Sequence, residues 1–141
     1  EGDGEVASYS LAFDAGMRLI VSAIAFSPDG SQLAYALNSG EVTAMDLESG
    51  TVKTLVQEGP SASALIWPDH SLVAIVDSEV RRIPADGESE VESIAVLPFA
   101  PDHFSVSANQ LRLLVASRDS KSVAVVDLHG KNVLHLVPQT L

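Results

Sequence analysis

The sequence predicts an all-β protein built as a β-propeller, and three observations carry that expectation. Its apolar runs are short and rich in β-branched residues, and each is closed within about eight residues by Gly, Pro, Asn or Asp, too short for a helix. Four such runs fall between Ala23 and Leu55, the signature of one four-stranded blade. The turn at Pro28 then returns at Pro68 and again at Ala108, in two equal steps of about 40 residues. A β-sandwich would explain the short strands but not this recurring order of turns.

In the reference unit, strands are expected over 24–26, 33–37, 42–47 and 52–56. Ser27-Pro28-Asp29-Gly30 makes the first turn, with Pro presetting its backbone angle and Gly supplying a positive φ. Asn38-Ser39-Gly40 and Glu48-Ser49-Gly50 make the next two. The second unit repeats the pattern over 63–67, 72–76, 80–83 and 91–97, and the third over 103–107, 111–116, 123–128 and 133–137. Ahead of them, Gly4-Glu5-Val6 and Asp14-Ala15-Gly16 match Gly40-Glu41-Val42 and Glu48-Ser49-Gly50, so the chain opens on the third and fourth strands of a blade. The expected organisation is a half blade over residues 1–22 and blades over 23–62, 63–102 and 103–141. That is about three and a half four-stranded blades, an arc short of the usual four-blade minimum and so part of a larger propeller. Strands such as Val123-Ala124-Val125-Val126 and Leu113-Leu114-Val115-Ala116 are apolar on both faces, as strands held between two neighbouring sheets are. Phe26, Leu33, Leu55, Ile66, Leu113 and Val125 are the expected inter-blade core.

Composition narrows the function. The 141 residues are 46% hydrophobic with mean hydropathy +0.22, which suits a folded domain with an aliphatic core. A formal charge of −11 repels polyanions, so nucleic acid and anionic membrane are not expected as direct ligands. No apolar run approaches the roughly 20 residues that span a bilayer. Without cysteine, neither a disulfide nor a thiolate metal site can form. That suits the cytoplasm, the preferred compartment, and also many periplasmic or extracellular envelope proteins.

The stretch Ile24-Ala25-Phe26-Ser27-Pro28-Asp29-Gly30-Ser31-Gln32-Leu33-Ala34, continued by Ser39-Gly40-Glu41-Val42-Thr43-Ala44-Met45-Asp46-Leu47, resembles a WD40 repeat and its PD40 and YVTN-type relatives. Ala116 to Leu128 is similar. Met45-Asp46 and Val126-Asp127 keep the Asp of the repeat's Trp-Asp pair and lose the Trp, while Gly59-Pro60 stands where the repeat has Gly-His. Ser117 and Asp119 match two members of the repeat's hydrogen-bonded tetrad. The resemblance implies a non-catalytic scaffold that holds a protein partner within a multi-subunit complex; the partner could equally be the remainder of the propeller or another chain completing it. Two alternatives follow from the same likeness: a gate or exosite propeller of a larger hydrolase, and an envelope propeller of the YVTN or PD40 kind.

Missing catalytic motifs in the sequence favour the scaffold. There is no Gly-x-Ser-x-Gly elbow and no phosphate loop, and the repeated Pro-Asp-His of Pro68-Asp69-His70 and Pro101-Asp102-His103 lacks a nucleophile. His70, His103, His129 and His135 read as surface imidazoles, and no carboxylate lies at ligand spacing beside His129 or His135. Asp86, Glu88, Glu90 and Glu92 read as a solvated turn rather than a calcium loop, and Arg81 and Arg82 as rim ion pairs. No cofactor, metal or catalytic residue is expected. By resemblance, the turns joining second to third strands and those joining blade to blade share one face for partners. It presents Asn38, Gln57, Glu58, Asp77, Glu79, Phe99, Asp102, Arg118, Asp119 and Lys121, with Phe99 and Arg118 as the anchors.

Overall fold

The structure, a computed structural model, describes residues 20–136, where the short apolar runs form twelve strands and no helix. The first sheet holds β1 (Val21–Phe26), β2 (Gln32–Leu37), β3 (Val42–Asp46) and β4 (Val52–Val56). The second holds β5 (Ala64–Ile66), β6 (Ser71–Val76), β7 (Glu79–Pro84) and β8 (Glu92–Val96). The third holds β9 (His103–Val106), β10 (Arg112–Ser117), β11 (Ser122–Asp127) and β12 (Val133–Leu136). Each sheet is an antiparallel meander in chain order, the arrangement of a propeller blade. Apart from residues 20–22, the half blade expected over residues 1–22 lies outside the described residues. Its boundary shifts: β1 already begins at Val21, which pairs with Leu37, and a bulge between Val21 and Ala23 carries the strand on.

The hairpins show why the turns recur. Between β1 and β2, the Ser27 N–H donates to the Gln32 carbonyl at 2.9 Å and the Gln32 N–H donates back to Ser27 Oγ at 2.9 Å. Asp29 Oδ1 accepts the Ser31 N–H at 2.9 Å, and Gly30 takes φ +75°. Between β9 and β10 the same bonds join Ser107 and Arg112, Asn109 Oδ1 stands in for the Asp, and Gln110 takes φ +64° where the first blade has Gly. The β3–β4, β7–β8 and β11–β12 turns share another device. Asp46, Asp86 and Asp127 each accept two backbone N–H groups on Oδ1, from residues two and three positions on, at 2.8–3.0 Å. Asp86, read as one of a solvated acidic run, is thus the second blade's counterpart of Asp46 and Asp127.

Two apolar layers join the blades. Ala34, Ala36, Val42 and Ala44 of the first sheet meet Leu65, Leu72, Ala74, Val76 and Ile83 of the second. From its opposite face, Val73, Ile75, Val80 and Ile94 meet Leu113, Val115, Ala124 and Val126 of the third. β6 is therefore buried on both faces, as two-sided apolar strands require. Arg82 adds a polar link: its guanidinium reaches the Leu128 carbonyl of the third blade and pairs with Glu92 at 3.1 Å, and Glu92 also holds Lys131. The rim pair expected at Arg81 is there too, with Glu79 at 2.7 Å.

The expected core is only partly right. Leu113 is buried, and Leu55 and Ile66 are half-buried against the inter-blade layers, but Leu33 and Val125 are half-buried outside those layers and Phe26 is 62% exposed. Strand alternation is the reason: Ala25 and Ala34 face the second blade, so the paired Phe26 and Leu33 face the other way. In the third sheet, Leu114, Val123, Val125, Leu134 and Leu136 share the face turned away from the second blade, and Leu114, Leu134 and Leu136 are exposed there.

Leu113→Ala should lower the unfolding free energy by about 2–5 kcal/mol, whereas Phe26→Ala should stay within about 0.5 kcal/mol of the parent. Chemical denaturation of both variants checks this assignment.

Gly40 tests the backbone. It takes φ +91°, and an added Cβ would lie 2.0 Å from the Gly59 carbonyl oxygen on the connection between the first two blades. Gly40→Ala should therefore cost at least about 2 kcal/mol, while Gln110→Gly should gain about 1 kcal/mol by relieving a left-handed non-glycine position. Thermal melts of the two variants should move in opposite directions.

Candidate functional site

In an antiparallel meander, the turns sort to two ends of the blade. The β2–β3, β6–β7 and β10–β11 turns lie at one end with the blade-to-blade connections, and the other hairpin turns lie at the opposite end. All ten candidate partner residues belong to the first end or to strand starts beside it.

The structure divides them into separate neighbourhoods. Asn38 is committed to the fold: its N–H donates to the Ile20 carbonyl at 2.9 Å and its side-chain oxygen accepts the Ile20 N–H at 3.0 Å. Gln57 and Glu58 are exposed on the connection that follows β4, and Asp77 occupies the left-handed position of the tight β6–β7 turn at φ +53°. Glu79 pairs with Arg81; hydrogen bonds from Ser93 and Arg81 hold its carboxyl below the usual range. Phe99 is half-buried against the second inter-blade layer, with its ring 5.7 Å from that of His135. It thus fills the gap between blades, whatever else it does.

Asp102 and Arg118 do come together, with His103, which by sequence reads as a plain surface imidazole. Asp102 Oδ1 lies 2.6 Å from His103 Nδ1, and Asp102 Oδ2 accepts the Arg118 N–H at 3.2 Å. The Arg118 guanidinium lies 3.4 Å from His103 Nε2. With Nδ1–H donating to Asp102, Nε2 is free to accept from the guanidinium, and the Arg118 backbone N–H closes the ring of three residues on Asp102. The His103 and Arg118 contacts hold the Asp102 carboxyl below its usual range. The second imidazole nitrogen thus meets a cation, where an acyl-transfer triad would present a hydroxyl or thiol. Asp119 and Lys121 complete this turn, exposed, with Lys121 at φ +52°. Ser117 is buried and its Oγ accepts the Ser120 N–H at 3.3 Å, a local turn role. Among the described residues, no three His, Asp or Glu side chains assemble to hold a metal, and no helix is long and apolar enough to cross a membrane.

The opposite end holds a feature absent from the expected site. Strands β1, β5 and β9 end there on Phe26, Ile66 and Val106, which with Pro28, Trp67 and Pro68 line a hollow of about 500 Å³. An adjoining hollow of about 480 Å³ shares Pro28, Trp67 and Pro68 and adds Asp29, Asp69 and His70. Asp69 Oδ2 also lies 3.9 Å from His129 Nε2 of the third blade, a carboxylate that the tertiary fold brings to an imidazole with none beside it in sequence. One signal could have pointed here: the chain's single Trp stands at the turn position that the other two units fill with Ser27 and Ser107.

No protein-family model matches the sequence, and no curated protein matches it. Solved structures share the fold. A chain of the mitotic checkpoint complex superposes with TM-score 0.68 at 21% identity, over 88% of this chain and 38% of that one. A chain of Kuenenia stuttgartiensis hydrazine synthase gives 0.67 at 18% identity, over 81% and 36%. The Myceliophteria thermophila Cps50 (Swd1) β-propeller domain gives 0.64 at 14% identity, over 80% and 40%. The fold is that of a β-propeller, as the WD40-like resemblance implied, and the chain spans well under half the length of each neighbour.

The turn carboxylates set the pH response. Hydrogen bonds from the Ser31 backbone and hydroxyl hold Asp29 at about 2, and those from Ser89 hold Asp86 at about 2, against 3.8 without such partners. A depressed carboxyl contributes stability above its unfolded value and loses it as pH falls through the folded value. The melting temperature should therefore hold from pH 7 to about 5 and decline between about pH 4 and 2. Asp29→Asn, which keeps an amide acceptor as Asn109 does, should flatten that decline; a pH series of thermal melts checks it.

Proposed function

We propose that this chain is a propeller scaffold that holds a protein partner at the end bearing the β10–β11 turn, with Arg118 as principal anchor and Phe99 beside the same connection. The observation that carries the reading is the Asp102–His103–Arg118 ring. It fixes an exposed guanidinium in place before any partner arrives, so less side-chain freedom is lost on binding. Asn38, Gln57, Glu58, Asp77, Glu79, Asp102, Asp119 and Lys121 form the polar surround, where most contacts exclude water rather than supply affinity. The open apolar face of the third sheet takes a further blade, from the same polypeptide or from another. The charge of −11 disfavours nucleic acid as the partner.

A second reading has one observation in its favour. A chain of hydrazine synthase shares the fold, so a propeller of this kind is compatible with membership of an enzyme. In that case the same end serves as a docking face toward a catalytic domain.

Affinity capture with the parent chain, Arg118→Glu and Phe99→Ala tests the scaffold. A protein retained by the parent should bind Arg118→Glu at least about tenfold more weakly, a hot-spot loss of more than 1 kcal/mol. Equal retention by both variants, each with a parental melting temperature, would remove this end as the partner face.

A further inference from the structure

We infer that the hollow at the opposite end, where the β1–β2 and β5–β6 turns meet, is a docking groove for a cationic segment of a protein partner, one that offers a Lys or Arg side chain. This surface is separate from the Arg118 end and stands or falls without it.

Its floor departs from the repeat. At the turn position of the first and third blades, Ser27 and Ser107 hydroxyls accept the N–H groups of Gln32 and Arg112. The second blade gives up that bond and places Trp67 there, only 7% exposed beneath both hollows. Trp67 also belongs to the apolar layer between the first two blades, so the second blade exchanges the hairpin serine for an aromatic that packs inward and floors the hollows with its remaining surface. Phe26 faces the hollow and remains mostly exposed, although strand β1 could carry a small or polar residue there. Pro28 and Pro68 complete a rigid apolar lining that costs no side-chain entropy when covered.

Its rim is anionic. Asp29 takes three hydrogen bonds on Oδ1, from Ser27 Oγ, Ser31 N and Ser31 Oγ, and Oδ2 has no partner among the described residues. Asp69 accepts the Ser71 N–H on Oδ1, and its Oδ2 lies 3.9 Å from His129 Nε2. Two carboxylates held by their own turns, over aromatic and proline surface, suit a long cationic side chain. Its methylene stem covers the apolar lining while its head reaches Oδ2. The chain's charge of −11 draws such a segment in and repels an acidic one.

The sole Trp makes occupancy visible. The probes are two short peptides, one alternating Ala with Arg and the other alternating Ala with Glu. They are titrated at low salt and at pH 8. The Arg peptide should saturate, change Trp67 emission, and weaken as salt is raised. Asp29→Asn/Asp69→Asn should bind it at least about tenfold more weakly, as expected for losing two charged partners. That double variant keeps the turn acceptors, since Asn109 already serves in the third blade. Asp46→Asn/Asp86→Asn removes the same charge from turns outside the groove and should bind as the parent does. Phe26→Ser, at an exposed position, should weaken binding with an unchanged melting temperature. The inference is overturned by no binding of the Arg peptide up to about 1 mM. It is equally overturned by saturation with the Glu peptide, by equal losses in the two double variants, or by binding that leaves Trp67 emission unchanged.

Discussion

Everything in this molecule depends on the second blade being buried on both faces. Leu72, Ala74 and Val76 pack toward the first sheet and Val73 and Ile75 toward the third, so one strand contributes to two apolar layers. Removing those residues from water, at roughly 25 cal/mol per Å² of apolar surface, is what makes the three sheets cohere. The small residues opposite them, Ala34, Ala36, Ala44 and Ala124, let the sheets approach closely enough for branched side chains to interlock. Polar links such as Arg82 to the Leu128 carbonyl then fix which edge of one blade meets which edge of the next.

Because the blades cohere through their faces, the turns are left to solvent and to function. Their conformations come from short acidic and hydroxyl side chains that bond their own backbone, which concentrates carboxylates at one end of the molecule. The same residues that close hairpins thereby set the local field. At the other end, Asp102 performs both tasks at once, anchoring the Arg118 backbone and orienting His103 toward its guanidinium.

The two ends offer different chemistry to a partner. One presents a fixed cation set against an acidic background; the other presents aromatic and proline surface ringed by carboxylates. Under the proposed function, two unlike ends suit two unlike partners. Likeness to a chain of the mitotic checkpoint complex and to one of hydrazine synthase is likeness of fold; which chemistry each end serves rests on its own side chains.

By itself, the sequence determined the strand pattern and the blade repeat, because both are local. Short β-branched runs cannot be helices, and the Asp-centred turns close hairpins with residues only a few positions away. It also placed all ten candidate partner residues at or beside one end, since an antiparallel meander sorts its turns without knowledge of packing. Tertiary structure decided which face of each strand is covered. Phe26 and Val125 look like core in the repeat, yet alternation turns both away from the second blade. It alone joined Arg118 to His103 across fifteen residues and Asp69 to His129 across two blades. It also set Trp67 beneath a hollow shared by neighbouring hairpins. Such juxtapositions are made by the stacking of one blade on the next, and strand periodicity carries no record of that stacking.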